Sequence, residues 1–381
     1  MNEVSAFCVK GYDDPALFKA VDGIIEGFCA SHPVTADTKI LLKPNLVSKH
    51  TPDKAATTHP MLVRAVIRAL RARGARHITL ADSCGGTYNG PVMRGVYTAS
   101  GMKAACEEEG AFLYEGFEET VRKQPNGLRC REFTQLLPVA QADYVINLPK
   151  LKTHVMAGLS CAVKNLYGTI PGLLKAELHM RFPQPEDFGH MLADLCELVK
   201  PALSIVDGVT AMEGDGPTGG EPRFVGLVAG GEDPYLVDLF CCQIIGIDPA
   251  RVPYLAAARQ RGLCPAAFPA GMLRGDPEAA RPVAGFRMPE SYKPFDLTGS
   301  FPPGLRWAAP FLTKRFAPHP AIQKRKCIGC GKCAVICPQK VISIEKKKAR
   351  IRPQSCIRCF CCHEMCPERA IEVRRFKIFN L

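Results

Sequence analysis

Along the first 290 residues, short apolar runs alternate with stretches where apolar positions recur every three or four residues. The first pattern predicts strands and the second amphipathic helices. Residues 4–9, 39–42, 77–81, 144–147, 203–206 and 224–228 read as strands. Residues 16–29, 60–73, 186–199, 236–245 and 253–261 read as helices. The helix over 60–73 carries the fullest set of signals: Pro60 in its first turn, a stripe of Leu62, Val66, Ala69 and Leu70, and Gly74 as its stop. Apolar strands followed by polar loops predict an α/β class with a mainly parallel, helix-covered sheet. This α/β domain is assigned to residues 1–290. Residues 291–320 are rich in Pro and aromatic residues, include the single tryptophan Trp307, and read as an ordered linker. Residues 321–381 form a small α+β domain of different character.

Composition sharpens that division. The 381 residues are 47% hydrophobic and 23% charged, which excludes a disordered chain. No run of about 18 apolar residues occurs, so no membrane span is expected. The opening MNEVSAFCVKGYDD lacks a basic segment followed by an apolar one, so a cytoplasmic location is the expectation. Two totals stand out: 19 cysteines and a net charge of +12. Nine of the cysteines lie between Cys327 and Cys366, and residues 321–381 hold 15 Lys and Arg against 4 Asp and Glu. The tail therefore carries nearly all of the excess charge. Clustered cysteines in a reducing compartment read as metal ligands rather than disulfides.

The cysteines follow one rule twice. Cys327, Cys330, Cys333 and Cys337 precede Pro338, and Cys356, Cys359, Cys362 and Cys366 precede Pro367; both runs are C-x2-C-x2-C-x3-C-P, 29 residues apart. Three thiolates on one tight loop reach three irons of a cubane, and the fourth points to the neighbouring cluster. A zinc site needs only four ligands from paired units, and the doubled pattern argues against it. The run resembles bacterial two-cluster ferredoxins over about the last 60 residues. The resemblance implies two 4Fe–4S clusters, one on Cys327, Cys330, Cys333 and Cys366, the other on Cys356, Cys359, Cys362 and Cys337. Cys361 is out of register and reads as a free thiol, and His363 as a surface residue.

Lys346, Lys347, Lys348, Arg350 and Arg352 lie between the repeats, and Arg374, Arg375 and Lys377 follow them. A positive surround favours reduced clusters and steers an acidic donor, such as a ferredoxin or flavodoxin. No nucleic-acid-binding signature accompanies the charge, so no nucleic acid partner is expected.

In an open α/β sheet, ligands bind beyond the carboxyl ends of the strands. Those ends here carry Lys43 and Asn45, then Asp82-Ser83-Cys84-Gly85-Gly86, then Lys150, Lys152 and His154, then Asp207-Gly208, with Lys164-Asn165 downstream. The set predicts a basic cleft for a small anionic substrate, a carboxylate or phosphate. Lys43, Asn45, Lys150 and Lys152 are the candidate anion holders. His154 is the candidate proton donor, and Lys164 the group that stabilises developing negative charge or tethers a cofactor. Gly214, Gly216 and Gly219 match G-x-G-x-x-G, but Pro217 inside the motif leaves no helix for a pyrophosphate, and the segment reads as a flexible loop or lid.

The strings LLKPNLV, HPMLVRAVIRALRARGARHITLADS, INLPKLKTHVMAGLSCAVKNLYGTIPG and IVDGVTAMEGDGPTGG together resemble the domain-of-unknown-function 362 family, over most of residues 1–290. Many members of that family carry a ferredoxin module at the C-terminus. A shorter stretch, from Thr153-His154 to Lys164, is similar to nickel-pincer lactate racemases, with His179 near a nickel-ligand position of that family; Cys161 departs from its small-residue run. This second resemblance implies a shared fold rather than shared nickel chemistry. The joint expectation is an iron–sulfur oxidoreductase that passes low-potential electrons to the basic cleft. The alternatives are a dedicated electron carrier, an iron–sulfur assembly or sensing protein, and a non-redox isomerase with structural clusters.

Overall fold

The computed structural model describes residues 3–292 and 317–374. Trp307 and almost all of the expected linker lie outside the described residues, as do Arg375 and Lys377. The body is built on one mixed, mostly parallel sheet. Its strands are Val4–Cys8 (β1), Lys39–Pro44 (β2), His77–Leu80 (β3), Phe112–Leu113 (β4), Tyr144–Leu148 (β5), Lys150–His154 (β6), Gly158–Ser160 (β7), Leu203–Glu213 (β8), Glu221–Gly231 (β9) and Leu273–Gly275 (β10). The order is β10-β1-β9-β8-β5-β2-β3-β4, with β6 pairing β8 and β7. Strands β5, β2, β3 and β4 run parallel, whereas β9 is antiparallel to both β1 and β8.

Both faces of the sheet are covered, as apolar alternation on the central strands requires. In β2, Ile40 and Leu42 join one core with the helices Pro15–Ser31 and Pro60–Ala72, and Leu41 joins the other with Pro185–Val199 and Pro234–Ile245. The β8–β9 hairpin is far longer than the two short strands expected, because Asp207-Gly208 and the polar residues beyond interrupt the apolar run without ending the pairing. Gly214–Gly219 is the turn of that hairpin rather than a free lid: Thr218 donates to the Glu364 carbonyl oxygen at 2.8 Å, and Pro217 lies in the wall of a cavity.

The C-terminal module consists of two strand pairs, His319–Ile322 with Ile371–Arg374 and Ile342–Glu345 with Lys348–Ile351, and two short helices, Lys332–Ile336 and Cys361–Glu364. It sits on the carboxyl ends of the sheet. The Met365 side chain rests on Gly85 so closely that a Cβ there would lie 2.6 Å from its sulfur. A larger residue at Gly85 would force the Met365 side chain to shift. His363 is not on the surface: it is buried, with Nδ1 2.5 Å from the Ile371 carbonyl oxygen and Nε2 2.9 Å from that of Asp215. Among the described residues, no helix is long and apolar enough to cross a membrane.

Pairing of β6 with β8 sets Asp207 opposite Lys150. The two form a fully buried ion pair at 2.9 Å, and Tyr12 bridges them, accepting from Lys150 and donating to Asp207 at 2.7 Å each. Removing one member of such a pair strands the other charge out of water. Asp207→Ala is expected to lower unfolding stability by about 3–5 kcal/mol in urea titration; a loss under about 1 kcal/mol would show that Lys150 finds another counter-ion.

Candidate active site between the sheet and the cysteine module

Two cavities of about 350 Å³ each lie inside the module. Cys327, Cys330, Cys333 and Cys366 line one; Cys337, Cys356, Cys359 and Cys362 line the other. Each quartet takes three sulfurs from one repeat and the fourth from the other. Among the described residues, no three His, Cys, Asp or Glu side chains gather closely enough to hold a single ion. Zinc needs its sulfurs about 2.3 Å from one point. Quartets spread around a larger space fit a four-iron cluster instead. The hydrogen bonds from the Ala349 and Ala370 amides to the sulfurs of Cys327 and Cys366, at 3.3 and 3.2 Å, suit thiolate ligands.

A third cavity, of about 660 Å³, lies between module and body. Lys43, Asn45, Lys152, His154 and Lys164 all line it. Lys150 does not: the Asp207 pair takes it out of the candidate anion-binding set. The wall also holds residues outside that set, namely Asp82 and Lys175 from the body and Ile336, Cys361, Glu364 and Met365 from the module. Cys361 lines this cavity and the second cluster cavity as well. Its displacement from the cysteine repeat was visible in sequence, but not its position in the shared wall.

The lysines differ in their partners. Lys43 pairs with Asp82 at 2.7 Å. Lys152 donates only to neutral oxygens, Asn45 Oδ1 at 2.8 Å and the Ala56 carbonyl at 2.7 Å. Lys175 likewise donates to Ser83 Oγ at 2.9 Å and to the Ser83 and Ile170 carbonyls at 3.1 and 2.6 Å. Lys164, only 8% exposed, makes no hydrogen bond or ion pair among the described residues; its ammonium lies 5.2 Å from the Tyr167 ring centre. It rides on the short helix Ala162–Asn165, whose first amides donate to the buried Asp238 carboxylate at 2.6 and 3.1 Å. Asn45 fixes the floor, donating to Asn165 Oδ1 at 2.8 Å while its oxygen holds Lys152.

Burial depresses every one of these cations. It pulls Lys152 down to about 7 against the attraction of Glu364, and Lys175 down to about 8 against Cys84 and Asp82. Lys43 and Lys164 shift downward for the same reason. Burial would raise Glu364, but His154, Lys164 and His179 outweigh it and bring its carboxyl down to about 2.

His154 is 1% exposed. The backbone amides of Met156 and Ala157 donate to its Nδ1 at 3.1 and 3.2 Å. An accepting Nδ1 leaves the proton on Nε2, which points at Glu364 Oε1, 3.1 Å away. Burial, reinforced by Lys164, lowers His154 to about 4, so the ring is neutral near pH 7. His179, 3% exposed, leaves its Nδ1 without a hydrogen-bond partner and stacks on Phe188 at 4.4 Å. Sequence spacing gave no signal for Glu364 or Lys175, because folding alone brings them to the strands.

Residues 40–243 match the family model described as Domain of unknown function (DUF362), and residues 319–367 match a 4Fe-4S dicluster domain. A thylakoid-associated protein of Synechocystis sp. is 32% identical over 322 residues, 84% of this chain and 97% of that protein. A crystal structure of a Thermotoga maritima protein is 13% identical with a TM-score of 0.35, covering 65% of this chain and 58% of that one, and carries no argument. The cysteine quartets, their two cavities and these matches together identify the chain as a member of the DUF362 family with a C-terminal dicluster domain that binds two 4Fe–4S clusters.

Proposed function

We propose that the protein is an iron–sulfur oxidoreductase that reduces a small anionic substrate in the lysine cavity, using electrons that reach it through the two clusters from an acidic carrier protein. The observation that carries this reading is the shared wall: Cys361 faces both the second cluster cavity and the lysine cavity. A dedicated carrier has no need of a buried, partly unpaired set of cations beside its cluster. None of the 19 cysteines is in a disulfide, which suits a reducing compartment such as the cytoplasm.

The charge in the wall narrows the substrate. Four lysines face two carboxylates, Asp82 and Glu364, and among the described residues Lys152, Lys164 and Lys175 have no acid within ion-pair distance. Buried charge without a counter-ion is costly. A substrate with two negative charges, a dicarboxylate or a phosphate monoester, supplies what the wall lacks. Lys164 then stands where negative charge develops during reduction. The neutral His154 ring presents its Nε2 proton toward the same space, beside Glu364. The clusters supply single electrons when bound.

Two outcomes follow. Binding of a dianion should restore protons to lysines that burial has depressed to about 7 and 8. Succinate binding followed by calorimetry at pH 8, in buffers of different ionisation enthalpy, is therefore expected to show proton uptake. Affinity should fall at least about tenfold as pH rises from 7 to 9.5. Proton-neutral, pH-independent binding would contradict the assignment. Separately, Lys164→Met should weaken succinate binding at least about tenfold while iron stays near eight atoms per chain. Cys361→Ser should also keep that iron, and Cys359→Ser should lose part of it. Iron loss in Cys361→Ser would make Cys361 a ligand and remove it from the shared wall.

A further inference from the structure

The two cluster cavities face different surroundings. Three of the second quartet, Cys337, Cys359 and Cys362, are buried, and Cys361 turns that side toward the lysine cavity. The first quartet is more open, and its Cys330 also lines a crevice of about 640 Å³ against Lys49, Gly85 and Thr87 of the body. Cys330 is exposed, and so are Ile328 at 61% and Ile344 at 38%, both of which line the first cluster cavity. Val335, on the helix Lys332–Ile336, is 49% exposed and lines the crevice against the body instead. An exposed apolar pair such as Ile328 and Ile344 on a charged module marks an interaction surface.

Its flanks are cationic. Lys332 lines the same cavity, Lys326 directly precedes the ligand Cys327, and the Lys346-Lys347 turn lies on the ligand loop; all four are exposed. The two-residue turn Lys346-Lys347 has positive φ at both positions, 49° and 58°, which reverses the chain tightly and leaves both ammonium groups at its tip. This turn lies directly on the ligand loop: a Cβ on Gly329 would be 2.4 Å from the Lys347 carbonyl oxygen. Lys348 Nζ donates to the Cys327 carbonyl at 2.6 Å. The nearest acid of this hairpin, Glu345, is paired with Arg350 at 3.1 Å.

We infer that this face, Ile328 and Ile344 flanked by Lys326, Lys332, Lys346 and Lys347, is where an acidic one-electron carrier protein docks, so that electrons enter at the first cluster and leave by the second. The inference rests on the reading that the body receives electrons through the clusters. Charge complementarity selects the occupant: the lysines attract an acidic surface, the apolar pair suits the dry core of an interface, and a cluster accepts one electron at a time. In the entry step the reduced carrier loses one electron and the first cluster gains it. No bond changes and no proton moves. The second quartet, with Cys361 in its wall, would hold the cluster that takes the electron on toward the lysine cavity.

The test uses the whole holoprotein under anaerobic conditions, with no substrate present, so its failure leaves the cavity reading untouched. The probe is a reduced acidic 2Fe–2S ferredoxin, and bleaching of the 4Fe–4S absorbance is followed by stopped flow. Lys326→Glu with Lys332→Glu should slow reduction at least about tenfold at low ionic strength and flatten its salt dependence. Lys19→Glu with Lys123→Glu, an equal charge change on the exposed body surface, should leave the rate within about twofold of the parent. Reduction by the small neutral 5-deazariboflavin radical should be equal in all three proteins, which establishes intact clusters. Equal ferredoxin rates in parent and Lys326/Lys332 variant, or equal slowing in both variants, would overturn the inference. So would retention of the parent on duplex DNA at physiological salt, which would assign the face to nucleic acid.

Discussion

Lysine side chains held out of water with too few carboxylates around them are the constraint on which the structure turns. Lys43, Lys152, Lys164 and Lys175 all line one cavity, and the body supplies only Asp82 against them. The second carboxylate, Glu364, comes from the cysteine module. Module and body are therefore joined by electrostatics as well as by packing of Met365 on Gly85 and the bonds from Thr218 and His363. Two of the four lysines have no carboxylate of the cavity wall to match them. A structural role alone would be better served by apolar residues or by matched pairs such as Lys150 and Asp207.

The same seam places redox chemistry beside ionic recognition. Glu364 lies two residues after the cluster ligand Cys362 and directly before Met365 and the ligand Cys366. A single short helix thus holds a cluster, closes the cavity and orients His154. The neutral His154 ring, with its Nδ1 fixed by two amides, cannot turn its proton elsewhere without losing both bonds. Asp238 holds the start of the Lys164 helix from below. The cavity is thus preorganised by groups that never touch a ligand.

Much of this was legible in the sequence, and the limits have physical causes. The cysteine quartets were what the resemblance of the doubled run, repeated after 29 residues, to two-cluster ferredoxins implied. The clustering of Lys43, Asn45, Lys152 and His154 followed from their position at strand ends. Lys150 sits on the same face as Lys152 by alternation, yet strand pairing sets Asp207 opposite it, and a register cannot be read from one strand alone. Glu364 and Lys175 lie on short helices with no pattern pointing at the sheet. His363 looked like a surface residue because nothing local announces the Asp215 carbonyl from the hairpin turn.

The second cluster cavity and the lysine cavity share the wall residue Cys361, whereas the first cluster cavity shares no wall residue with the lysine cavity. The most direct measurement is a spectroscopic redox titration that resolves both clusters, with and without saturating succinate. Negative charge beside a cluster disfavours adding an electron, so the account predicts that one cluster moves to lower potential and the other stays fixed. Equal shifts in both clusters, or a shift in neither despite demonstrated succinate binding, would contradict it.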